Sequence, residues 1–111
     1  MWEINFTDEY TAWFKSLDED CQAAVLSRVK LLRDYGPQLS RPYSDVLHGS
    51  KIPNLKELRA QTTAHVLRVF YYFDKARKAL LLTGGDKKGK NQEDFYKQFI
   101  QEAEDLVKKY T

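Results

Sequence analysis

The chain has 111 residues, of which 42% are hydrophobic and 31% are charged, and this balance indicates a folded protein, not a disordered one. Its net charge of +2 hides a basic middle, because residues 48–90 carry ten basic and three acidic side chains whereas both flanking segments are acidic. A basic middle favours a polyanionic partner, although a solvated basic face would give the same pattern. We expect a single domain over residues 1–111.

The first half of the chain predicts a strand followed by a helical hairpin. Apolar residues alternate with polar ones over residues 2–6, which is typical of a strand with one buried face. Thr7 is a candidate N-cap for a short helix, and the acidic residues 18–20 begin a second helix that ends at Gly36. Residues 36–54 contain all three prolines and no clear periodicity, so they predict a long loop.

The second half predicts three sequential strands and a final helix. The segments "LKELRAQ", "HVLRVFYYFD" and "KALLLTGG" are rich in β-forming residues, and their short connections favour an antiparallel meander. Asn91 is a candidate cap for a long amphipathic helix. The order β-α-α-β-β-β-α predicts an α+β fold, with a small antiparallel sheet packed against the helical hairpin and the C-terminal helix.

Alternation along the predicted strands assigns side chains to opposite faces of the sheet. Glu57, Arg59 and Gln61 share one face of the first meander strand, and Lys56, Leu58 and Ala60 share the other. In the next strand Arg68 lies between Val66 and Phe70 on one face. An arginine among apolar neighbours needs a desolvated partner or a ligand, so Arg68 is a candidate functional residue.

Several classes of site are not supported by the sequence. Neither His48 nor His65 has a second ligand at a spacing typical of zinc sites, so we expect no metal and no cofactor. The segment "GGDKKGK" does not match a phosphate-binding P-loop. The only cysteine, Cys21, cannot form an intramolecular disulfide, and the first residues resemble no export leader. The expected location is the cytoplasm, with no membrane segment.

The remaining candidates are cations that come from different strands. Arg59, Arg68 and the loop lysines Lys87, Lys88 and Lys90 would converge if the three strands are neighbours. RNA carries its own nucleophile in the 2′-hydroxyl group, so its cleavage needs a base, an acid, and cations around the pentavalent phosphorane, and no metal. Arginine binds phosphate oxygens bidentately, and a lysine among other cations has a lowered pKa.

From about Asp45 onward, the chain resembles the phage Gp49-like, HigB-type branch of the RelE/ParE toxin superfamily. The similarity lies in "GSKIPNLKELRAQ", "LRVFYYFD", "LLLTGGDKKG", and the "FY" and "AE" of the last helix. It implies a RelE-like fold and the toxin of a type II toxin–antitoxin system. The implied activity is ribosome-dependent, metal-independent cleavage of messenger RNA, which inhibits translation.

The resemblance implies that Arg59, Arg68 and Lys87 are functional residues, and we build a hypothesis for the site on these three. Arg59 and Arg68 would stabilise the phosphorane, and Lys87 would serve as a base or as a further electrostatic clamp. Asp86 would orient a neighbouring cation, while Gly84 and Gly85 would let the backbone approach the substrate. The expected RNA contacts are Lys51, Lys56, Lys88, Lys90, Tyr71 and Tyr96. Which residue is the general base stays open.

The implied partners are a cognate helix-turn-helix antitoxin of the HigA type and the ribosome with its messenger RNA. Operator DNA would be contacted only through the antitoxin. Two alternatives stay open: a non-catalytic toxin that targets DNA gyrase, as in ParE-like relatives, and an inactive antitoxin-binding co-repressor. The codon preference and the stoichiometry of the complex have no signal in the sequence.

Overall fold

A computed structural model describes residues 1–111, which form five strands and three α-helices. The elements in chain order are β1 (Ile4–Phe6), α1 (Asp8–Lys15), α2 (Glu19–Tyr35), β2 (Ser44–Val46), β3 (Lys56–Gln61), β4 (Val66–Phe73), β5 (Ala79–Asp86) and α3 (Gln92–Tyr110). This α+β architecture confirms the predicted fold class. No helix is both long enough and apolar enough to cross a bilayer.

Helices α1 and α3 begin at the caps predicted from the sequence, and α2 begins after Asp18, in the predicted acidic start. The side chains of Thr7, Asp18 and Asn91 accept hydrogen bonds from the backbone N–H groups of Tyr10, Cys21 and Asp94, respectively. Each bond satisfies one of the N–H groups that a helix start leaves unpaired. The last turn of α2 ends at Gly36, which has a positive φ of 59°. A residue with a side chain would be strained there.

The strands lie in the order β1-β5-β4-β3-β2 in one sheet. Strands β3 to β5 pair antiparallel, as predicted for the meander, and β2 also pairs antiparallel with β3. Strand β1 runs parallel to β5. The sheet is therefore mixed and not wholly antiparallel. The predicted long loop was wrong in part, because residues 36–38 form a 3₁₀ turn and residues 44–46 form the edge strand β2. A three-residue strand is too short to show a period in the sequence.

The sheet buries side chains on both faces. Helices α1 and α2 cover one face, where Leu58, Leu67 and Val69 pack with Val25 and Leu32 of α2. Helix α3 covers part of the other face through Phe95, Ala103, Leu106 and Val107. Because α3 contacts mainly β4 and β5, the part of this second face that belongs to β2 and β3 is left open. That open area is the floor of the site.

The glycine pair of β5 makes room for aromatic rings. A Cβ atom at Gly84 would overlap the ring of Trp13 from α1, and a Cβ atom at Gly85 would overlap the ring of Phe99 from α3. Both glycines therefore let a helix approach the sheet closely. The expectation that they bring the backbone to a substrate was wrong, since the rings of the protein itself occupy that space.

Candidate functional site

The two candidate arginines lie side by side on the same face of the sheet. Arg59 of β3 and Arg68 of β4 are directly opposite each other in the antiparallel register. On the other side of Arg68, the paired residue in β5 is Gly85. A turn of four residues, 62–65, joins β3 to β4, and Thr62 accepts the N–H of His65 with its hydroxyl group. Short connection and strict alternation together fix this pairing.

The arginines form the floor of a groove of about 400 Å³ between β2, β3, β4 and the start of α3. Its charged or polar lining residues are Arg41, Asp45, His48, Glu57, Arg59, Arg68, Lys87, Gln92 and Tyr96. With histidine neutral, four cations face two carboxylates. The groove therefore carries a net positive charge and favours an anionic ligand.

Glu57 is the centre of the hydrogen-bond network in this groove. Its side chain is only 4% exposed, and its Oε2 atom accepts bonds from the Nε (3.2 Å) and Nη2 (3.1 Å) atoms of Arg59. Its Oε1 atom lies 3.4 Å from the Nε atom of Arg68 and accepts the hydroxyl proton of Tyr96 at 2.6 Å. A buried carboxylate requires such partners, so Glu57 and the two arginines depend on each other.

Each arginine keeps one terminal nitrogen free of protein acceptors. Arg68 also donates from Nη1 to the carbonyl of Leu67, and Arg59 donates from Nη2 to Asp45 at 3.4 Å. The Nη2 atom of Arg68 and the Nη1 atom of Arg59 make no hydrogen bond within the chain. These two nitrogens are available to the oxygens of a bound phosphate.

Lys87 reaches the groove from the turn that follows β5. Its ammonium group lies 5.3 Å from the ring centroid of Tyr96 and 3.5 Å from the Oε1 atom of Gln92. Burial lowers the pKa of Lys87, and the positive charges of Arg68 and Arg59 lower it further. Such an ammonium group gives up a proton more readily than a lysine in water does.

Tyr96 joins the carboxylate to the lysine. Its hydroxyl group donates to Glu57 and accepts from the Nε atom of Arg68 at 3.2 Å, while its ring lies under the ammonium group of Lys87. Burial and the bond to Glu57 raise the pKa of Tyr96. The hydroxyl group therefore stays protonated near neutral pH and positions Glu57.

Strand β2 closes the groove with a second ion pair. Arg41 binds Asp45 at 2.7 Å, and its hydrogen bond holds the pKa of that carboxyl group below the usual range. Asp45 also binds the Nη2 atom of Arg59, the same nitrogen that binds Glu57, so two carboxylates hold the Arg59 guanidinium group. This arrangement fixes the guanidinium plane before any ligand binds.

Comparison with known proteins now assigns the family. Residues 12–108 match the family model described as phage-derived protein Gp49-like. The chain belongs to the Gp49-like family. The resemblance inferred from the motifs is confirmed at this level.

Two curated relatives of this Gp49-like protein come from Mycobacterium tuberculosis. The putative toxin HigB3 is 44% identical over 77 residues, which cover 69% of this chain and 66% of the relative. The putative toxin HigB2 is 31% identical over 100 residues, which cover 89% of this chain and 49% of the relative. The chain thus spans less than two thirds of the length of either relative.

Solved structures support the fold. The isolated Escherichia coli RelE toxin superposes with a TM-score of 0.63 at 10% identity, over 91% of this chain and 97% of that one. RelE from the RelE–RelB complex of Pyrococcus horikoshii superposes with a TM-score of 0.58 at 17% identity, over 79% and 97% of the two chains. The Gp49-like chain therefore has the RelE fold.

Two residues expected to contact RNA lie on the wrong face of the sheet. The ring of Tyr71 is fully buried under α1 and α2, where its hydroxyl group is hydrogen-bonded to Ser44 and burial raises its pKa to about 12. Lys56 shares the face of Leu58 and lines a separate depression that includes Pro37. Neither of these side chains lies in the groove, so we withdraw both as RNA contacts there.

The other expected lysine contacts lie outside the groove. Lys51 lines an adjoining surface beside His48 and α3. Lys88 is exposed, and Lys90 lines a depression on the far side of the β5–α3 turn. Asp86 was expected to orient a cation, but its carboxylate binds His65 and accepts the backbone N–H groups of Val66 and Lys88.

Sequence reasoning missed the acidic part of the site. Glu57 was assigned to the correct face but was given no role, and Asp45 was placed in a loop. The pattern did contain a signal for Glu57, because it lies two residues before Arg59 and so on the same face of β3. Asp45 had no comparable signal, since β2 has no periodic pattern.

Proposed function

We propose that this chain is the toxin of a type II toxin–antitoxin pair and that it inhibits translation by cutting messenger RNA in the groove around Glu57. The observation that carries the proposal is that Arg59, Arg68 and Lys87 line one groove, in which the two arginines bind the buried carboxylate of Glu57. The names of the two mycobacterial relatives support the toxin assignment. The lining of the groove is also consistent with a phosphodiester substrate.

The proposed reaction is transesterification within the RNA backbone. The 2′-oxygen forms a bond to the adjacent phosphorus, and the bond from phosphorus to the 5′-oxygen breaks. The products are a 2′,3′-cyclic phosphate and a free 5′-hydroxyl group. The free nitrogens of Arg59 and Arg68 would hold the non-bridging oxygens, where negative charge develops in the transition state.

Glu57 and Lys87 are suited to the two proton transfers. Glu57 is the carboxylate nearest the arginines, so it is suited to accept the 2′-proton while their free nitrogens hold the phosphate. The lowered pKa of Lys87 makes its ammonium group a better proton donor for the leaving 5′-oxygen. Lys87 is therefore assigned as the acid and clamp, and Glu57 as the base.

We further propose two macromolecular partners. One structural neighbour of this fold is a RelE chain bound to RelB, which supports an antitoxin partner for this chain as well. From the HigB resemblance we infer a helix-turn-helix antitoxin. The ribosome would align messenger RNA across the groove, which reduces the entropy lost in the reaction.

The experiment is induced expression of the chain alone in a bacterial host, followed by mapping of RNA 5′ ends. We expect growth arrest and new 5′-hydroxyl ends within translated messages. The triple variant Arg59→Ala, Arg68→Ala, Lys87→Ala should produce neither. Removal of both arginines leaves the buried Glu57 carboxylate with Tyr96 as its only partner, which destabilises the fold. The purified triple variant must therefore be shown to keep its helical circular dichroism spectrum.

Two controls make the result specific. Arg68→Lys keeps a charge beside Glu57 but loses the planar guanidinium group, so it should fold and still lose most cleavage. Lys56→Ala removes a cation from the opposite face and should cleave normally. Growth arrest by the folded triple variant would contradict the nuclease proposal. If the unchanged chain causes DNA breaks and no RNA cleavage, the gyrase alternative is supported.

A further inference from the structure

Three different metal-ligand types meet at the end of the sheet nearest the start of α2. Asp18 precedes α2, Cys21 lies in its first turn, and His65 ends the β3–β4 turn. A carboxylate oxygen, the Cys21 sulfur and a His65 ring nitrogen all lie within 4.8 Å of one another. The Asp18 Oδ2 atom lies 4.0 Å from the His65 Nε2 atom. These residues face the α1 and α2 side and share no member with the groove.

A fourth residue orients the histidine. The Asp86 Oδ2 atom lies 2.5 Å from the His65 Nδ1 atom, and this contact leaves Nε2 as the ring nitrogen that faces Asp18 and can bind a metal. Asp86 is itself held, since its Oδ1 atom accepts the N–H groups of Val66 and Lys88. A carboxylate behind a histidine is the usual support of a histidine that binds zinc.

The distances suit a tetrahedral ion after a small adjustment. With bonds of about 2.0–2.3 Å, the ligand atoms of such a site lie roughly 3.3–3.8 Å apart. Cys21 is buried and fixed, whereas the side chains of Asp18 and His65 are 62% and 39% exposed. The cap bond to the Cys21 N–H holds one oxygen of Asp18, and Asp86 holds His65, so metal binding requires a shift of about 1 Å in these two side chains. Water can complete the coordination.

We propose that Asp18, Cys21 and His65 bind one zinc-type divalent cation, with Asp86 as the residue that positions His65. Thiolate, imidazole and carboxylate together are a ligand set that zinc accepts, whereas magnesium and calcium prefer oxygen ligands alone. The expectation of no metal site rested on spacing along the sequence, and the fold brings the ligands together from two separate elements.

The site connects α2 to the turn that carries Lys87. Asp86 directly precedes Lys87, and its carboxylate also holds the N–H group of Lys88. A cation on the Nε2 atom of His65 strengthens the bond from Nδ1–H to Asp86, because the metal draws electrons from the ring. Metal binding therefore restrains the β5–α3 turn from the opposite face of the sheet.

The test is titration of the purified full chain, without an affinity tag and kept reduced, with cobalt(II) as the spectroscopic substitute for zinc. We expect a thiolate-to-cobalt charge-transfer band that saturates at one equivalent and disappears when zinc is added. Absence of that band, or a band of equal strength in Cys21→Ser, overturns the proposal.

Further variants are chosen so that loss of cobalt binding cannot be explained by misfolding. Asp18→Asn keeps the helix cap, because asparagine caps as well as aspartate, and His65→Gln keeps a polar side chain. Both should weaken cobalt binding, and Asp86→Asn should weaken it by about 10- to 100-fold, as the loss of such a support does. His48→Gln is the matched control and should bind cobalt like the unchanged chain. Equal affinities for His65→Gln and His48→Gln would show adventitious binding and refute the site.

Discussion

The side chains in the groove differ in how many contacts they make with one another. Glu57 contacts Arg59, Arg68 and Tyr96, whereas Lys87 makes only a weak contact to Gln92 and a contact to the Tyr96 ring. Substitutions of the arginines therefore affect folding as well as chemistry, because a buried carboxylate without partners is costly. Substitution of Lys87 affects chemistry almost alone.

Two tyrosines provide a matched test of the site at the residue scale. Tyr96→Phe removes the hydroxyl group that positions Glu57, and we expect RNA cleavage to fall by at least about tenfold. Tyr71→Phe removes a hydroxyl group on the opposite face and should keep full cleavage, with a loss of about 1 kcal/mol in the free energy of unfolding. Cleavage assays and urea unfolding of both variants check this pair. Equal cleavage by the two variants would contradict the placement of the site.

At the scale of elements, the position of α3 depends on the absence of a side chain in β5. Gly85→Ala should lower the free energy of unfolding by about 1–3 kcal/mol, because the new methyl group overlaps the ring of Phe99. The double variant Gly85→Ala, Phe99→Leu should recover part of that loss. Thermal unfolding of the single and double variants measures the recovery. A double variant no more stable than the single one would show that the ring is not the obstacle.

One carboxylate of α3, that of Glu104, is hydrogen-bonded to the segment between β2 and β3, and this predicts a pH dependence. Glu104 accepts bonds from the Lys51 N–H group and the Ser50 hydroxyl group, and these bonds lower its pKa below the ordinary 4.5. A carboxyl group with a lowered folded-state pKa stabilises the fold above its unfolded pKa, and this contribution is lost as pH falls through the folded value.

Glu104→Gln should therefore remove part of the acid dependence. Its unfolding free energy should be lower than that of the unchanged chain at pH 7, and the difference should shrink as the pH falls below 4.5. Urea unfolding across this range tests it, and Glu102→Gln, an exposed neighbour, is the control. A constant difference between the two curves would exclude the proposed titration.

The sequence predicts the elements that depend on local contacts better than it predicts the pairing of distant strands. Helix starts were predictable because a cap and its helix are local, and the Arg59–Arg68 pairing was predictable because a short turn joins β3 to β4. The β1–β5 pairing joins distant parts of the chain, so no local pattern carries it. Alternation along β4 places Tyr71 and Arg68 on opposite faces of the sheet, so the sequence pattern alone argues against Tyr71 as part of the site.

For the whole molecule, the segregation of charge has a measurable consequence. The groove holds four cations and two carboxylates, and three of those cations and one carboxylate belong to residues 48–90, a segment of net charge +7. We expect binding of a short RNA with 2′-O-methyl groups, which cannot be cut, to weaken with salt. Three phosphate contacts give a slope of about −2 in a plot of log affinity against log salt concentration.

Fluorescence anisotropy at several salt concentrations measures that slope. Arg59→Gln should reduce its magnitude by about 0.7, the value for one phosphate contact on a single strand. Arg33→Gln, on the outer surface of α2, should leave it unchanged. A slope near zero for the unchanged chain would argue against phosphate binding in the groove.

The parallel pairing of β1 with β5 also determines when the protein can be completed during its own synthesis. Residues 4–6 leave the ribosome first, yet their partners are residues 79–81. Lys87 and Tyr96 emerge later still. A nascent chain therefore carries both arginines before it has a closed sheet or a finished groove, and the ribosome that makes this protein is exposed to the assembled site only after residue 96 has been synthesised.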